Sequence, residues 1–371
     1  MERRQSSSLF WFRGAIITFA LFATMDNAAH ADSETESSGA VYVLSNQPSG
    51  NSVLVYSRSA SGNLKFEASY PTGGKGAGTG TDPLGSQGSL TLGSGYLFAV
   101  NAGSNDVSMF AVDGTRLTLL DREPSGGQMP VSVAVKGFDA YVVNAAGREP
   151  NINGYLIDAF RRRLVPLPNS RRALAGGANA QPAQVGFTAD GDEILVTEKG
   201  TQLIDTFKVG VPGYTTGPRK HPSNGVTPFG FSVTNRGYDI VAEAGSGTVS
   251  SYEVEDNGHL TTISRSVPLG QNAPCWLVTT GDGRFGYTAN AGSQTISSLK
   301  IGADGTTRVL NATAAALTAP FDLALTKNSK FLYVREGNGA ITGFRVSADG
   351  TLSPIGSVTG LPAGAQGIAA R

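Results

Sequence analysis

The sequence predicts an all-β fold: a seven-bladed β-propeller with four antiparallel strands per blade. Three observations predict it. The first is a proline repeat. Pro182, Pro228, Pro274 and Pro320 lie 46 residues apart, and Pro130 precedes them by 52. Each opens a short apolar run that reads as a strand, and a four-stranded unit at this period marks a propeller blade. The second is a turn that recurs after the second strand of each unit. It reads NAGS at Asn101 and Asn290, NAAG at Asn144 and EAGS at Glu243, with looser copies at Asn46, Glu198 and Glu336, which makes seven units. The third is composition. Only 16% of the 371 residues are charged and 49 are glycine, which suits many short strands joined by tight turns.

The elements follow in chain order. Residues 1–31 are expected to be a signal peptide. Arg3, Arg4 and Arg13 accompany an apolar run from Ala15 to Phe22, which leads to Ala29-His30-Ala31, an A-x-A cleavage pattern. The run is shorter than the roughly 20 residues that span a bilayer. Residues 32–40 are expected to be a disordered acidic linker, and residues 41–371 the propeller domain. The first unit begins with what reads as a second strand, Val41-Tyr42-Val43-Leu44. Its missing first strand is found at the other end, in Gln366-Gly367-Ile368-Ala369-Ala370. Pairing of these two segments would close the ring and leave no exposed edge there. Closure matters because Cys275 is the only cysteine, so no intramolecular disulfide can hold an exported chain together. The stretch from Gly73 to Gly80 lacks the G-x-x-x-x-G-K-[ST] pattern and no helix pattern follows it. It reads as the connection between the first two units and not as a phosphate loop.

Strand parity locates the candidate site. Strands of a blade alternate in direction, so the opening prolines and the NAGS-type turns share one face, called here the top. The hairpins at residues 189–191, 281–283, 303–305 and 348–350 lie on the bottom, where Gly and Asp supply positive φ. Two residue sets face the top mouth. One lies two positions into each unit: Gln87, Ser132, Gln184, Gly230, Trp276, Asp322 and Gly367. The other opens the turn after the second strand. Asn there caps its own turn. Glu does so less well, because it loses more side-chain entropy, so Glu198, Glu243 and Glu336 stand out, with Lys199 and Arg335 beside them. Trp276 reads either as a plug in the channel or as a stacking platform for a planar or sugar-like ligand. The candidate site is therefore Gln184, Glu198 and Glu243 as catalytic residues, with Gln87, Trp276, Asp322 and Glu336 binding ligand. His221 and His259 read as solvated loop residues. Cys275, with no histidine near it in sequence, is a weak nucleophile. No cofactor and no metal are expected.

The unit pattern over residues 40–371 resembles the seven-bladed lactonase-type propellers. The segments that carry it are FTADGDEILVTEKGTQLIDTF from Phe187, YTANAGSQTISSLKIGADG from Tyr287 and FLYVREGNGAITGFRVSADGTL from Phe331. That family includes cycloisomerases that lactonise carboxymuconate and hydrolases of 6-phosphogluconolactone. The resemblance implies a histidine in a G-P-R-H segment, a glutamate near the end of the following strand and arginines on neighbouring blades. Here the segment reads Gln181-Pro182-Ala183-Gln184, so Gln184 stands in the histidine's place and Ala183 in the arginine's. Glu198 matches the glutamate closely, and Glu243 stands where an arginine is implied. The expected function is hydrolysis or cyclisation of a small lactone or carboxylate at the top of the channel, with catalytic residues altered from the family pattern. Glu198 would be the base and Gln184 the donor to the oxyanion. A non-catalytic propeller that binds a sugar-like ligand, and a scaffold for partner proteins, are the alternatives. Formal net charge is zero, which gives no electrostatic argument for nucleic acid or an anionic membrane as partner. A small-molecule ligand, a monomer and a periplasmic or secreted location are expected.

Overall fold

The computed structural model describes residues 37–78, 80, 82–210 and 214–371. The expected signal peptide and the first part of the expected linker lie outside these residues. The propeller's first strand, Gly39–Leu44, starts two residues earlier than the sequence suggested. Seven antiparallel sheets follow one another along the chain. Their innermost strands are Ile368–Ala370, Leu90–Gly93, Gln128–Lys136, Pro182–Phe187, Pro228–Val233, Pro274–Thr279 and Pro320–Leu325, in ring order. No α-helix occurs among the described residues, and no helix there is long and apolar enough to cross a membrane.

The repeated proline has a structural reason. Pro130, Pro182, Pro228, Pro274 and Pro320 pair with Asn144, Glu198, Glu243, Asn290 and Glu336, the residues that open the following turns. The ladder shifts register directly after each proline. A residue without an N–H fits at such a bulge and not inside a regular ladder. The residue before each proline takes a left-handed φ: 55° at Met129, 46° at Gln181, 59° at Thr227, 50° at Ala273 and 52° at Ala319.

The ring closes as the offset ends predict. Val41, Tyr42 and Val43 pair with Ala370, Ala369 and Ile368, so the first blade takes its inner strand from the far end of the chain. Gln366 N donates to Leu44 O at 2.9 Å and Leu44 N to Gly367 O at 3.1 Å, extending the seam. The third blade departs from the pattern. Its outer strand, Arg163–Pro166, is short, and Arg172–Ala173 pairs with the same neighbour further along. Pro166 and Pro168 remove ladder donors there.

Apolar packing between neighbouring sheets forms the core. Second strands such as Phe331–Glu336 and Glu193–Glu198 are buried along their whole length, because both faces meet another blade. Tyrosines on these strands tie adjacent blades together. Tyr42 donates to Gly114 O at 2.6 Å, Tyr287 to Gly350 O at 2.9 Å and Tyr333 to Gly62 O at 2.7 Å. Each reaches a bottom turn of the next blade, so the phenol end of a buried ring is satisfied.

Candidate functional site at the top of the channel

The second unit enters the ring through Leu84-Gly85-Ser86-Gln87, and this segment crosses the top of the channel. Ser86 Oγ donates to Val131 O at 2.8 Å on the third blade, and Gln87 N to Ala183 O at 3.0 Å on the fourth. Gln87 Nε2 donates to Leu277 O at 2.7 Å and Oε1 accepts from Leu277 N at 2.8 Å, on the sixth. Trp276 Nε1 donates to Ser86 O at 2.9 Å. Gln366 accepts from Leu84 N at 3.0 Å and also donates to Asp82. The fifth blade makes room: a Cβ on Gly230 would lie 2.1 Å from Gln87 Oε1. Gln87 and Trp276 are thus structural parts of a plug, and Trp276, 1% exposed, offers no open stacking face. Gln184 does the same work one layer away. Its amide accepts from Phe231 N at 2.7 Å and donates to Phe231 O at 3.0 Å, replacing a rung of ladder between the fourth and fifth blades. Both ends of the amide are occupied.

The three glutamates do not converge on the mouth. Each grips the connection that arrives at its own blade. Glu198 accepts from Gly176 N at 3.1 Å and from the Thr201 hydroxyl. Glu243 accepts from Gly225 N and Ser250 Oγ, both at 2.7 Å, and from Ser223 Oγ at 3.2 Å. Glu336 accepts from Thr318 N at 2.7 Å and from the Thr342 hydroxyl. Asn46 and Asn144 make the same grip on Gly364 O and Ser125 O. The connection runs so close that a Cβ at Gly176 or Gly225 would lie 2.2 Å from the Glu198 or Glu243 carboxylate. The glycines ahead of Pro182 and Pro228 were therefore a readable sign of the grip, while ahead of Pro320 Thr318 takes that place.

Asp322 lies buried on the inner strand of the seventh blade beside Arg335 and Asp82, and Asp82 in turn faces Lys199. Lys199 Nζ lies 4.9 Å from the Phe229 ring centroid, and the Arg335 guanidinium 5.2 Å from that of Phe321. Both rings pack edge-on against Trp276, at 5.1 and 5.3 Å. An aromatic trio from three successive blades thus carries a cation at either end. Lys199 also donates to Gly85 O, and Arg335 Nε to Phe321 O at 3.0 Å. Arg335 Nη2 is buried and has no protein partner.

Burial governs the charges here. It pushes Asp322 up to about 7, against the opposing pull of Arg335. It brings Arg335 down to about 10, with Asp322 and Asp82 opposing. Lys199 is lowered by burial and supported by Asp82, whose own carboxyl burial raises. Burial lifts the Cys275 thiol to about 12, so it stays protonated and is no nucleophile. Asp322 also holds a left-handed φ of 68°, unusual for a residue with a side chain. Among the described residues, no group of three or more His, Cys, Asp or Glu is arranged to hold a metal ion. His221 departs from expectation: it lies in the outer strand Thr215–Pro222, buried, with its ring 5.8 Å from that of His259.

These shifts set a pH dependence. Asp322, Asp205 and Asp239 are all raised, chiefly by burial. In the unfolded chain an aspartate titrates near 3.9. Between about pH 4 and pH 7 the folded chain keeps protons that the unfolded chain has released, so raising the pH favours unfolding. His221, lowered by burial, opposes this at acid pH. The melting temperature is expected to be several degrees lower at about pH 8 than at about pH 5, at fixed ionic strength. An equal or higher value at the alkaline end contradicts the assignment.

Residues 232–315, most of the fifth and sixth blades, match the family described as lactonase, 7-bladed beta-propeller. Over those blades the chain resembles the lactonase type, and its whole ring is a seven-bladed propeller. Solved structures resemble it over nearly their full length. A periplasmic gluconolactonase from Pseudomonas aeruginosa is 17% identical, with 90% of this chain and 99% of that one aligned at a TM-score of 0.66. A candidate 6-phosphogluconolactonase from Bacteroides fragilis is 20% identical over 91% of this chain and 99% of that one, with a TM-score of 0.67. A protein from Lactobacillus plantarum is 16% identical over 90% and 100%, with a TM-score of 0.72. At these identities the likeness concerns the fold of the propeller. No curated protein matches its sequence.

Proposed function

We propose that this lactonase-type propeller is an exported hydrolase that opens a small lactone at the top of its channel, with Asp322 as general base. The observation that carries the reading is Asp322 itself: a carboxyl poised near neutrality, on strained backbone, beside Arg335. The ionised carboxylate takes a proton from water as the hydroxyl adds to the lactone carbonyl. The ring C–O bond then breaks, the ring oxygen receives the proton, and a hydroxy acid leaves. Arg335, through its unpartnered Nη2, and Lys199 are the donors for the developing oxyanion. The base role expected of Glu198 passes to Asp322 in this reading, because the Glu198 carboxylate ties down the arriving connection through Gly176 and Thr201, whereas Asp322, which accepts from Leu323 N at 2.9 Å, has its carboxyl raised towards neutrality beside Arg335. Glu243 and Gln184 become supports for the same reason.

The test is acid release from a panel of sugar and aliphatic lactones by the mature domain. Turnover is expected to rise with pH through about 7, as Asp322 ionises. A second reading, ligand binding without turnover, is favoured by the plug at Ser86 and Gln87, which fills part of the mouth. Calorimetric binding of a lactone or its hydroxy acid with no acid release would select it.

Export rests on the A-x-A pattern, and the periplasmic gluconolactonase of like fold supports it. N-terminal sequencing of protein from a bacterial host with a native secretion pathway is expected to begin at Asp32. A chain that retains Met1 would overturn this.

A further inference from the structure

The bottom of the ring carries a second concave feature, between the sixth and seventh blades. A cleft of about 590 Å³ opens there. Arg284, Lys327, Lys330 and Arg345 line it, and Asp282 is the only carboxylate in the lining. Asp282 pairs with Arg284 Nε at 3.1 Å. Among the described residues neither Lys327 nor Arg345 forms an ion pair. Lys327 and Arg345 thus bring positive charge to this cleft on a chain whose formal net charge is zero.

The cleft is built and not a chance gathering of surface side chains. Its walls are tied across the two blades: Gly281 N donates to Ser329 Oγ at 2.8 Å, and Arg284 Nη2 to Ala348 O at 2.6 Å. Two rings hold the cations in place. Phe285 has Arg284 at 5.1 Å and Lys300 at 5.9 Å from its centroid. Phe331 has Arg345 at 4.9 Å and Arg58 at 5.0 Å. Ring faces fix the guanidinium groups without neutralising them, so the positive field stays open to an incoming anion. Planar guanidinium forks beside point-charge ammonium groups suit the oxygens of a phosphate group.

We propose that this bottom cleft binds a multivalent phosphate-bearing anion, at a site separate from the lactone site on the opposite face. Titration calorimetry of the mature domain with inorganic tripolyphosphate tests it directly. Binding is expected at low salt and is expected to weaken as salt rises, as for any site of this charge. Lys327→Glu with Arg345→Glu should weaken it at least tenfold. Both side chains are exposed, so folding should survive. Lys327→Glu alone, expected to weaken binding severalfold, guards against loss of the Phe331 stack in the double variant. Lactone turnover should not change in either variant. Co-sedimentation with phosphatidylglycerol vesicles but not phosphatidylcholine vesicles, lost in the double variant, would point to a lipid headgroup as source of the phosphate. Tripolyphosphate binding without co-sedimentation would point to a free one. No heat with tripolyphosphate, or binding unaltered in the double variant, overturns the proposal.

Discussion

Removing Gln366–Arg371 should lower the melting temperature by on the order of 10–20 °C. The deletion strips the inner strand from the first blade and leaves Val41, Tyr42 and Val43, all fully buried in the closed ring, on an open edge. It also removes Gln366, whose amide holds Leu84 and Ser86 in the channel plug. Two structures thus fail together: the seam and the plug. With no disulfide to compensate, the opened ring should also aggregate on heating. Thermal unfolding followed by circular dichroism measures the effect, and an unchanged melting curve would contradict closure by the chain ends.

Glu243→Ala should cost about 4 kcal/mol and about 6 °C of melting temperature. The carboxylate is fully buried and accepts from one backbone amide and several hydroxyls, Gly225, Ser223, Ser250 and Thr248 among them. Truncation leaves those donors buried without an acceptor, which is the expensive side of a hydrogen bond. It also frees the connection into the fifth blade, where Gly225 and Thr227 set the course of the chain. A loss of less than about 2 °C would mean that the grip adds little to stability.

The fold was legible because its signals are periodic. A proline at each bulge, a turn at each second strand and a displaced end strand all survive as spacing. The site was only partly legible. Strand counting singled out Asp322, which lies buried beside Arg335 and Asp82. Glu198, Glu243 and Glu336 broke the Asn pattern for a different reason from the one inferred. A longer carboxylate reaches further across to the arriving connection, and nothing in the spacing distinguishes that from a ligand contact. The glutamines misled similarly, because an amide that replaces a ladder rung and one that binds ligand look alike in sequence. Asp82 lies in a connection outside the repeat. Its meeting with Lys199 and Arg335 comes from a chain crossing between blades that no local pattern records.

The claim that Asp322 and not Glu198 is the base is tested most directly by lactone turnover in two variants, each with its melting curve. Asp322→Asn should reduce kcat by about 10²-fold or more, the usual worth of a positioned base. Its melting temperature should hold or rise at about pH 8, because a buried carboxyl that resists ionisation has been made neutral. Glu198→Gln should lose melting temperature while keeping most of its turnover per folded molecule. Full turnover in Asp322→Asn, with turnover lost in a stable Glu198→Gln, would contradict the account and return the chemistry to the turn of the fourth blade.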